Sequence, residues 1–303
     1  MRLVYFGTGS FAIPALRALE NHVCLVVTQP DRPTGRGMKV QPSPMKMAAA
    51  EMGLPVRTPE RAKSDEFVAE IQALEPDALV VASYGQILSQ RLLDVAKRGG
   101  INLHGSILPH WRGAAPIQRA IEHGDEETGV TLMQMDKGMD TGDIIAIERL
   151  RIGSDETYGE LQDRLARLAA RMALDWMPKI VAGDYPRVAQ DPAVMSLAPK
   201  IQKSECRLDF REEASSAYAR HKAFTPAPGS FIETRAGKLK LLSVRLGTES
   251  DGPGVVVSIG IGLEVGFSKG SLILLEVQPE GKKRMSGRDF ANGARLKPGS
   301  SLA

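Results

Sequence analysis

Short apolar runs alternate with amphipathic segments over the first half of the chain. The runs Leu3–Phe6, Val23–Thr28 and Asp77–Ala82 consist mainly of apolar residues, which is typical of strands buried on both faces of a parallel sheet. Segments with the periodicity of an amphipathic helix follow such runs, for example Phe11–Leu19 and Asp65–Leu74. The alternation predicts an α/β fold with an open, mostly parallel, Rossmann-like sheet and helices on both of its faces.

The same alternation continues along the chain. Further strands are predicted over Pro55–Arg57, Ile101–Leu103, Gly129–Met135 and Ile144–Arg151, and further helices over Met45–Met52, Ser89–Lys97, Ala114–Ile121 and Tyr158–Trp176. The apolar stripe of the last helix is expected to be core. Ligands of open α/β sheets bind beyond the carboxyl ends of the strands, so the loops that follow these strands are the candidate site.

A different pattern begins after Ser204. Short strands such as Lys238–Val244, Gly262–Gly266 and Leu272–Val277 are separated by Gly, Pro and Asp turns, with one short helix at Ala214–Ala223. Several short strands at fairly even spacing predict a small C-terminal β-barrel, compatible with an oligonucleotide-binding (OB-like) domain.

The stretch between the two patterns is rich in proline and polar residues and has no clear periodicity. It is predicted to be an interdomain linker. The resulting division is a Rossmann-like domain over residues 1–187, a linker over residues 188–204 and the barrel over residues 205–303.

The composition is that of an ordinary soluble protein, with 303 residues, 43% of them hydrophobic and 25% charged. No run approaches the roughly 18 apolar residues that a membrane-spanning helix needs, so no membrane segment is expected. A strand pattern begins directly after the first residues, which predicts no signal or transit peptide. Cys24 and Cys206 lie far apart and match no metal-ligand spacing, and the expected setting is a reducing cytoplasm.

The net charge of +3 is unevenly distributed. From Lys203 onward there are 16 Lys and Arg against 11 Asp and Glu, a net charge of +5, whereas the preceding residues have 23 against 25, a net charge of −2. The basic part indicates a polyanionic partner bound mainly by the smaller domain. The alternative is that so modest an excess serves solubility alone.

The stretch INLHGSILPHWRGAAP places two polar residues, Asn102 and His104, at the end of a predicted strand. Residues two apart on a strand point to the same face, so both side chains are able to enter one crevice. An amide beside an imidazole is able to hold a carbonyl oxygen that gains negative charge. Taken singly, Asn102 is more typical of a turn and His104 of a satisfied core or surface histidine.

The run DKGMDTGD, Asp136–Asp143, concentrates acids, glycines and a threonine between two predicted strands. Carboxylates suit Mg²⁺ or Ca²⁺, but the spacing and the closing Glu of an EF-hand are absent. Two interpretations remain: one acid orients His104 or accepts a proton, or the segment is a charged hairpin turn.

Gly7, Gly9 and Ala12 fit the dinucleotide-binding fingerprint G-x-G-x-x-G/A at the first strand–helix turn. Asp31 lies near the position expected of a ribose-binding acid. This pattern supports a rival interpretation, a nicotinamide-dependent oxidoreductase. The same glycines also serve close packing of a strand on a helix, and two prolines flank Asp31, which is unusual at the end of a ribose-binding strand.

The connection Gln29–Lys46 has four prolines, two glycines and four basic residues. It is longer than the ~2–6 residues of an ordinary strand–helix loop, so it is predicted to be functional or to be a solvated insertion. Arg36 lies between two glycines and is therefore free to reach a ligand.

These motifs together resemble a known family. INLHGSILPHWRGAAPIQRAI and TGVTLMQMDKGMDTGD are similar to the catalytic signature of methionyl-tRNA formyltransferases. TQPDRPTGRG with PSPMK resembles the tRNA-contacting insertion of that family, and TPAPGSF and KRMSGRDFANGARLKPG resemble its C-terminal domain. The likeness covers essentially the whole chain. The first two motifs occur more loosely in other folate-dependent formyltransferases and hydrolases, whereas the GRG insertion and the basic barrel point to tRNA.

The resemblance implies that a formyl group passes from 10-formyltetrahydrofolate, the co-substrate, to the α-amine of initiator methionyl-tRNA, for translation initiation and without a metal. It implies catalytic roles for Asn102, His104 and Asp140. The residues implied to bind the folate are Ser106, Ile107, Leu108 and Pro109, and the basic residues assigned to tRNA are Arg32, Arg36, Lys39 and Lys46. A monomer is expected.

Three positions depart from the family pattern. Gly9 stands where Pro is usual, Gly105 where Ala is usual, and Ala227 where Trp is usual. None of them belongs to the catalytic trio, but Ala227 bears on how the C-terminal domain packs or meets tRNA.

Three other functions stay open. They are another folate-dependent formyltransferase or hydrolase, the nicotinamide-dependent oxidoreductase, and an RNA-binding protein with an inactive site. The last rests on the basic barrel alone, and the intact trio argues against it.

Overall fold

The computed structural model describes residues 1–34, 39–248 and 250–302. Within this range the chain forms two compact units. The first comprises Met1–Pro116, Glu127–Arg151 and Gln162–Pro199, and the second comprises Ile117–Glu126, Ile152–Leu161 and the residues from Lys200 onward. The second unit therefore includes two short segments that precede position 162, which the predicted division into consecutive domains assigns to the first domain.

The first unit contains the strands and helices predicted from the alternating pattern. Its strands are β1 (Leu3–Gly7), β2 (Val23–Val27), β3 (Arg32–Thr34), β4 (Lys39–Gln41), β5 (Val56–Arg57), β6 (Ala78–Ala82), β7 (Gly100–His104), β8 (Arg112–Gly113), β9 (Glu127–Gln134), β10 (Ile144–Arg151) and β11 (Leu197–Ala198). Its helices are α1 (Ile13–Leu19), α2 (Pro44–Glu51), α3 (Asp65–Ala73) and α4 (Gln90–Leu93), and α5 (Pro116–His123) and α6 (Tyr158–Ala182) each contain residues of both units.

The central sheet has seven strands in the order β10-β9-β7-β6-β1-β2-β5. The strands from β7 to β5 are parallel, and β9 and β10 continue the sheet in antiparallel pairing at the β7 edge. The prediction of an open, mostly parallel sheet is confirmed. Because the parallel strands run in one direction, the loops after β1, β6 and β7 leave the sheet at the same edge.

The apolar runs are strands because both faces of the sheet are covered. Every residue of β1 and β6 is buried. Phe6 of β1 packs edge-on against Phe67 of α3 and against Tyr84, with ring centroids 6.5 and 5.2 Å away. Full burial of one such ring contributes about 1.5–3 kcal/mol, so these contacts hold α3 on the sheet.

Two helices end more than two residues away from their predicted ends. α4 ends at Leu93 rather than at Lys97, because the N–H groups of Lys97 and Arg98 donate to the carbonyl oxygens that precede β6, at 3.2 and 2.8 Å. These bonds lead the chain into β7 beside β6. α6 continues beyond the predicted end at Trp176, because the buried side chains of Met177 and Ile180 extend its apolar face.

The predicted linker over residues 188–204 lies largely in the first unit. Val188 forms an antiparallel bridge with Ile144, and β11 pairs in parallel with β8. The N–H of Arg112 donates to the carbonyl oxygen of Ser196 at 2.9 Å. The segment up to Pro199 is therefore tied to the sheet edge and to the loop after β7, through backbone hydrogen bonds that leave no periodic pattern in the sequence.

The long connection Gln29–Lys46 contains an antiparallel hairpin of β3 and β4. It ends at α2, whose first turn is capped by the side chain of Ser43, which accepts the N–H of Lys46. Residues 35–38, including Arg36, and the side chain of Lys39 lie outside the described residues.

The second unit is built on an antiparallel sheet. Its elements from position 200 onward are α7 (Ala214–Ala223), β12 (Phe231–Thr234), β13 (Gly237–Gly247), β14 (Val256–Ile259), β15 (Leu263–Gly266), β16 (Ser271–Pro279), β17 (Met285–Ser286) and α8 (Gly287–Gly293). The six strands follow the order β12-β13-β16-β15-β14, with β17 paired to β16. The predicted small C-terminal β-domain is confirmed as an antiparallel sheet, and its helix at Ala214–Ala223 is confirmed and accompanied by a second one, α8. Arg207 adds a single bridge to Phe231.

Candidate active site

Asn102 and His104 are the last polar residues of β7 and the first components of the site. The register of the sheet sets Asn102 opposite Met133 and His104 opposite Thr131 of β9. Both side chains are almost fully buried, with 9% and 6% of their surface exposed. The structure therefore places the two residues together on one face at the end of a strand, as the sequence pattern predicted.

Asp140 joins them from the turn between β9 and β10. Its Oδ1 accepts a hydrogen bond from Nδ2 of Asn102 at 3.1 Å, and its Oδ2 lies 3.6 Å from Nδ1 of His104. Oδ2 also accepts the backbone N–H of Gly113 at 2.9 Å. Asp140 has a φ of +55°, a left-handed conformation that costs a residue other than glycine about 1–3 kcal/mol and persists where its surroundings impose it.

The second ring nitrogen of His104 is also held. Nε2 lies 2.9 Å from the carbonyl oxygen of Trp111. A carbonyl oxygen only accepts, so Nε2 carries the hydrogen of this bond. Trp111 itself has a φ of +62°, and its N–H donates to the side-chain oxygen of Ser196 at 2.9 Å. The imidazole is thus oriented at both of its nitrogens.

The loop Ser106–Pro109 is fixed by side chains beneath it. Thr131 of β9 donates from Oγ1 to the carbonyl oxygen of Ser106 at 2.7 Å and accepts the N–H of Leu108 at 3.0 Å. Oγ of Ser106 donates to the carbonyl oxygen of His110 at 2.6 Å. Ser106 and Leu108 are buried, whereas Ile107 and Pro109 are partly exposed, so the loop offers mainly its odd-numbered residues to a ligand.

The remaining acids of the turn have other partners. Asp136 accepts hydrogen bonds from the N–H of Gly138 at 2.9 Å and from the hydroxyl of Thr141 at 2.7 Å. Asp143 forms an ion pair with Arg187 at 3.0 Å. Among the residues that the structure describes, no group of three or more His, Cys, Asp and Glu is arranged to hold a metal ion.

Three further residues hold the site and were not found from the sequence. Thr131 is a polar residue between the apolar residues Val130 and Leu132 of a strand, and that contrast was the signal available in the sequence. Ser196 and Gln190 lie in the stretch that was predicted to be a linker. Their neighbours in the sequence form no periodic pattern, and only the fold brings the two residues to the loops that carry Trp111 and Asp140.

Two of the four basic residues assigned to tRNA have described side chains. Arg32 is exposed. The ammonium group of Lys46 forms an ion pair with Asp31 at 2.6 Å. Of the other two, Arg36 lies outside the described residues, and for Lys39 only the backbone is described.

The glycine-rich turn after β1 serves packing. A Cβ atom on Gly7 would lie 2.7 Å from Cε of Met45 and 2.9 Å from Cβ of Ala12, closer than real Cβ contacts allow. The turn therefore needs glycine at position 7 for the close approach of β1 to Ala12, which directly precedes α1, and to Met45 of α2. Asp31, the expected ribose-binding acid, is paired with Lys46 instead.

Comparison with known proteins decides the family. The model of the formyl transferase family matches residues 1–176, and the model of the formyl transferase C-terminal domain matches residues 200–295. A methionyl-tRNA formyltransferase of Geobacter metallireducens is 42% identical to this chain, over 100% of this chain and 98% of that protein. The chain belongs to the methionyl-tRNA formyltransferase family. Relatives of the same name from Myxococcus xanthus and Methylococcus capsulatus are 43% and 45% identical and cover 99% and 98% of the chain, and 97% and 98% of their own lengths.

Solved structures share the formyltransferase fold. HypX from Aquifex aeolicus in complex with tetrahydrofolic acid superposes with a TM-score of 0.65 at 15% identity, covering 96% of this chain and 47% of that chain. An N-formyltransferase from Helicobacter canadensis in complex with folinic acid and dTDP-3-aminofucose gives a TM-score of 0.64 at 17% identity, covering 90% of this chain and 98% of that chain. The predicted family and fold class are confirmed, and the nicotinamide-dependent oxidoreductase is the wrong interpretation of the glycine-rich turn.

Across the described ranges, no helix has the length and apolar character that a membrane span requires.

Proposed function

We propose that this methionyl-tRNA formyltransferase transfers the formyl group of 10-formyltetrahydrofolate to the α-amine of initiator methionyl-tRNA at Asn102, His104 and Asp140. The observation that supports these site residues is that one carboxylate contacts both the amide and the imidazole at the end of β7. The co-substrate supplies the formyl carbon and leaves as the free N10 amine of tetrahydrofolate.

Asn102 holds the formyl oxygen. When the amine adds to the formyl carbon, the oxygen gains negative charge, and a buried amide N–H stabilises that charge more strongly than water does. Nδ2 of Asn102 carries two hydrogens, and one of them is bonded to Asp140. The second has no partner among the described residues and is available to the oxygen.

His104 moves a proton. In the structure its Nε2–H donates to the carbonyl oxygen of Trp111. In the reaction this hydrogen turns to the formyl oxygen, or passes to the leaving nitrogen of the folate while the proton that the attacking amine loses replaces it. Asp140 lies beside Nδ1, where its carboxylate fixes the orientation of the ring.

Ser106, Ile107, Leu108 and Pro109 form the wall on which the folate lies. The partial exposure of Ile107 and Pro109 supports contact with an aromatic ligand by these two side chains. The buried hydroxyl of Ser106 and the buried side chain of Leu108 support the shape of the loop. Thr131 fixes that shape from below through two hydrogen bonds.

The tRNA is bound by the basic insertion and by the C-terminal part. Arg32, Arg36, Lys39 and Lys46 belong to the connection that resembles the tRNA-contacting insertion of the family. The residues from Lys203 onward carry a net charge of +5, which suits a phosphate backbone. Residues 1–187 then carry the catalysis and residues 205–303 bind tRNA, in a monomeric protein of the cytoplasm.

Transfer of labelled formyl from 10-formyltetrahydrofolate to charged initiator tRNA tests this function. Product should form with the full chain and should disappear when the folate or the methionyl group is omitted. A His104→Ala variant is the matched enzyme control, because it keeps both binding surfaces. Formyl transfer to a nucleotide sugar in place of methionyl-tRNA, or release of formate without transfer, would contradict the proposal and indicate another folate-dependent formyltransferase or a hydrolase.

A further inference from the structure

The side-chain amide of Gln190 connects the two loops that carry the site. Nε2 donates to the carbonyl oxygens of Asp140 and Gly142, at 2.9 and 2.8 Å. Oε1 accepts from Nε and Nη2 of Arg112, at 3.1 and 2.8 Å. Both hydrogens of the amide are used, so its orientation is determined by its partners on either side.

On one side, Gln190 holds the backbone of the turn that contains Asp140. The positive φ of Asp140 directs its carbonyl oxygen toward Gln190 and its carboxylate toward Asn102 and His104. A left-handed conformation of a residue other than glycine persists only when several contacts impose it. The two bonds from Gln190 are such contacts, and they act on the backbone rather than on the carboxylate.

On the other side, Gln190 holds Arg112, which is buried and lies directly before Gly113. Within the described ranges, the guanidinium of Arg112 is bonded to this neutral amide and to no carboxylate. The N–H of Gly113 donates to Oδ2 of Asp140. Two connections therefore join the loop after β7 that contains Arg112 (the Arg112 loop) to the turn between β9 and β10 that contains Asp140 (the Asp140 turn). One passes through the side chain of Gln190, and the other through the carboxylate of Asp140.

We propose that Gln190 is a positioning residue for formyl transfer. It fixes the Asp140 turn against the Arg112 loop, so that the carboxylate meets Asn102 and His104 at the observed distances. This inference rests on the proposed function, because it assigns to Gln190 an effect on catalysis that passes through Asp140.

Gln134 provides a matched control. It is a buried glutamine, whereas Gln190 is partly exposed, and its Nε2 also donates to two backbone carbonyl oxygens, those of Arg98 and Gly100, at 3.0 and 3.1 Å. Its Oε1 accepts from the hydroxyl of Tyr185 at 3.1 Å. The two side chains have the same pattern of bonds, but the side chain of Gln134 has none with the Asp140 turn. The backbone N–H of Gln134 donates to the carbonyl oxygen of Asp143 at 2.8 Å, and Gln134→Ala keeps that bond.

The experiment compares Gln190→Ala, Gln190→Glu and Gln134→Ala in the full chain, by thermal unfolding and by steady-state formyl transfer. Gln190→Ala should lower kcat by about 10- to 100-fold, the scale of a misplacement of about 1 Å in a catalytic group. The KM values for the folate and for methionyl-tRNA should stay within about 2-fold, because Gln190 acts on a group that works in the reaction rather than in binding. Gln134→Ala should lower the melting temperature by a similar amount and leave kcat unchanged.

Gln190→Glu separates catalysis from stability. A carboxylate still accepts from Arg112 and gains an ion pair, so the melting temperature should stay close to that of the wild type. The glutamate side chain lacks the N–H donors of Gln190 and faces the carbonyl oxygens of Asp140 and Gly142. The kcat of this variant should therefore fall as in Gln190→Ala. A wild-type kcat in this variant would overturn the inference, as would equal kcat losses for Gln190→Ala and Gln134→Ala.

Asp140→Asn separates the inference from the proposed function. In an Asp140→Asn background, adding Gln190→Ala should lower kcat by less than about 2-fold, because residues that act as a unit are not additive. A full additional loss would overturn the inference while leaving the site assignment intact. An Asp140→Asn variant with wild-type kcat would instead contradict the proposed catalytic trio, and with it the positioning role.

Discussion

The side-chain amide of Asn102 donates from Nδ2 to Oδ1 of Asp140 at 3.1 Å. Because Oδ2 of the same carboxylate is directed toward His104 and the N–H of Gly113, Asp140 orients both proposed donors at once. A change at Asp140 is therefore expected to disturb two donors, although Asp140 itself does not need to touch the formyl group.

Asp140→Asn should lower kcat by about 100- to 1,000-fold, the scale of losing a preorganised donor. The amide has the shape of the carboxylate, so the fold should persist, but only one of its two ends accepts a hydrogen bond, so it cannot hold Asn102 and the N–H of Gly113 together. Folate binding should stay close to that of the wild type. Single-turnover formyl transfer and a folate titration on the same preparation measure the two effects.

Asp136→Asn and Asp143→Asn are the matched controls, because these acids lie in the same turn and bond to Thr141 and Arg187 instead. Neither should lower kcat by more than about 2- to 3-fold, in line with the small contribution of exposed pairs. If Asp140→Asn formylates at the wild-type rate while one of these variants does not, the role assigned to Asp140 belongs to that acid.

Gly7→Ala and Gly9→Ala should change stability in opposite directions. A Cβ on Gly7 would lie 2.9 Å from Cβ of Ala12 and 3.2 Å from the carbonyl oxygen of Ala82, whereas the nearest atom to a Cβ on Gly9, Cβ of Ser83, is 4.0 Å away. Gly7→Ala should cost about 1–3 kcal/mol through overpacking. Gly9 has a φ of −81°, which an alanine adopts, so Gly9→Ala should stabilise the fold by about 0.4–1 kcal/mol by restricting the unfolded chain.

Urea unfolding of both glycine variants measures this difference. Two equally destabilised variants would mean that the turn after β1 needs glycine at both positions. The same φ at Gly9 also lies close to the range of proline, which agrees with the proline that the family usually has at this position.

The stability of the second unit should fall as the pH is lowered from about 6.5 to about 4. Burial lowers the pKa of His221 to about 4, so the folded state keeps this residue neutral while the unfolded chain binds a proton near pH 6.5. Between these values the unfolded state holds more protons, which removes up to about 3 kcal/mol of stability by pH 4. The side chain is held neutral beside the hydroxyl of Ser230, 2.8 Å from Nδ1.

Urea unfolding at a series of pH values, compared with a His221→Gln variant, tests this contribution. The wild type should lose more stability than the variant between pH 6.5 and pH 4, whereas carboxylates contribute equally to both. His22→Gln, at an exposed histidine, serves as the control and should match the wild type. Parallel curves for the wild type and His221→Gln would contradict the buried, neutral state of His221.

Arg32→Ala should weaken tRNA binding more than Lys46→Ala. The side chain of Arg32 is exposed, whereas the ammonium of Lys46 is 2.6 Å from the carboxylate of Asp31, which offsets its charge. Removing one phosphate contact should lower the slope of log K against log salt by about 1. Asp31→Asn should strengthen tRNA binding, because it leaves the charge of Lys46 to the phosphates.

Salt titrations of tRNA affinity for the three variants measure these slopes, and folate titrations should show no change in any of them. Arg36→Ala belongs to the same series, with an expected loss of about 1–3 kcal/mol in tRNA binding, the scale of one specific contact. A loss of folate affinity equal to the loss of tRNA affinity would mean that the connection shapes a crevice common to both substrates.

The sequence by itself determined the order and type of the main elements. The segments Leu3–Phe6 and Asp77–Ala82 are almost entirely apolar, as strands are when helices cover both faces of their sheet. The hydrophobic pattern therefore predicted a parallel sheet. The spacing of Asn102 and His104 determined that they share a face, because side chains on a strand alternate. The resemblance of DKGMDTGD to the family signature selected Asp140 from three acids that composition alone does not distinguish.

The tertiary structure alone decided which residues hold this trio. Asp140 reaches Asn102 because β9 is antiparallel to β7 and the turn that follows β9 folds back toward β7. The periodicity of the sequence does not encode this topology. Gln190 and Ser196 join the site through single side-chain hydrogen bonds to backbone groups of distant loops. Such bonds depend on distance and angle in three dimensions and impose no period on the sequence. For this reason the segment that contains Gln190 and Ser196 was predicted to be a linker, although it supports the active site.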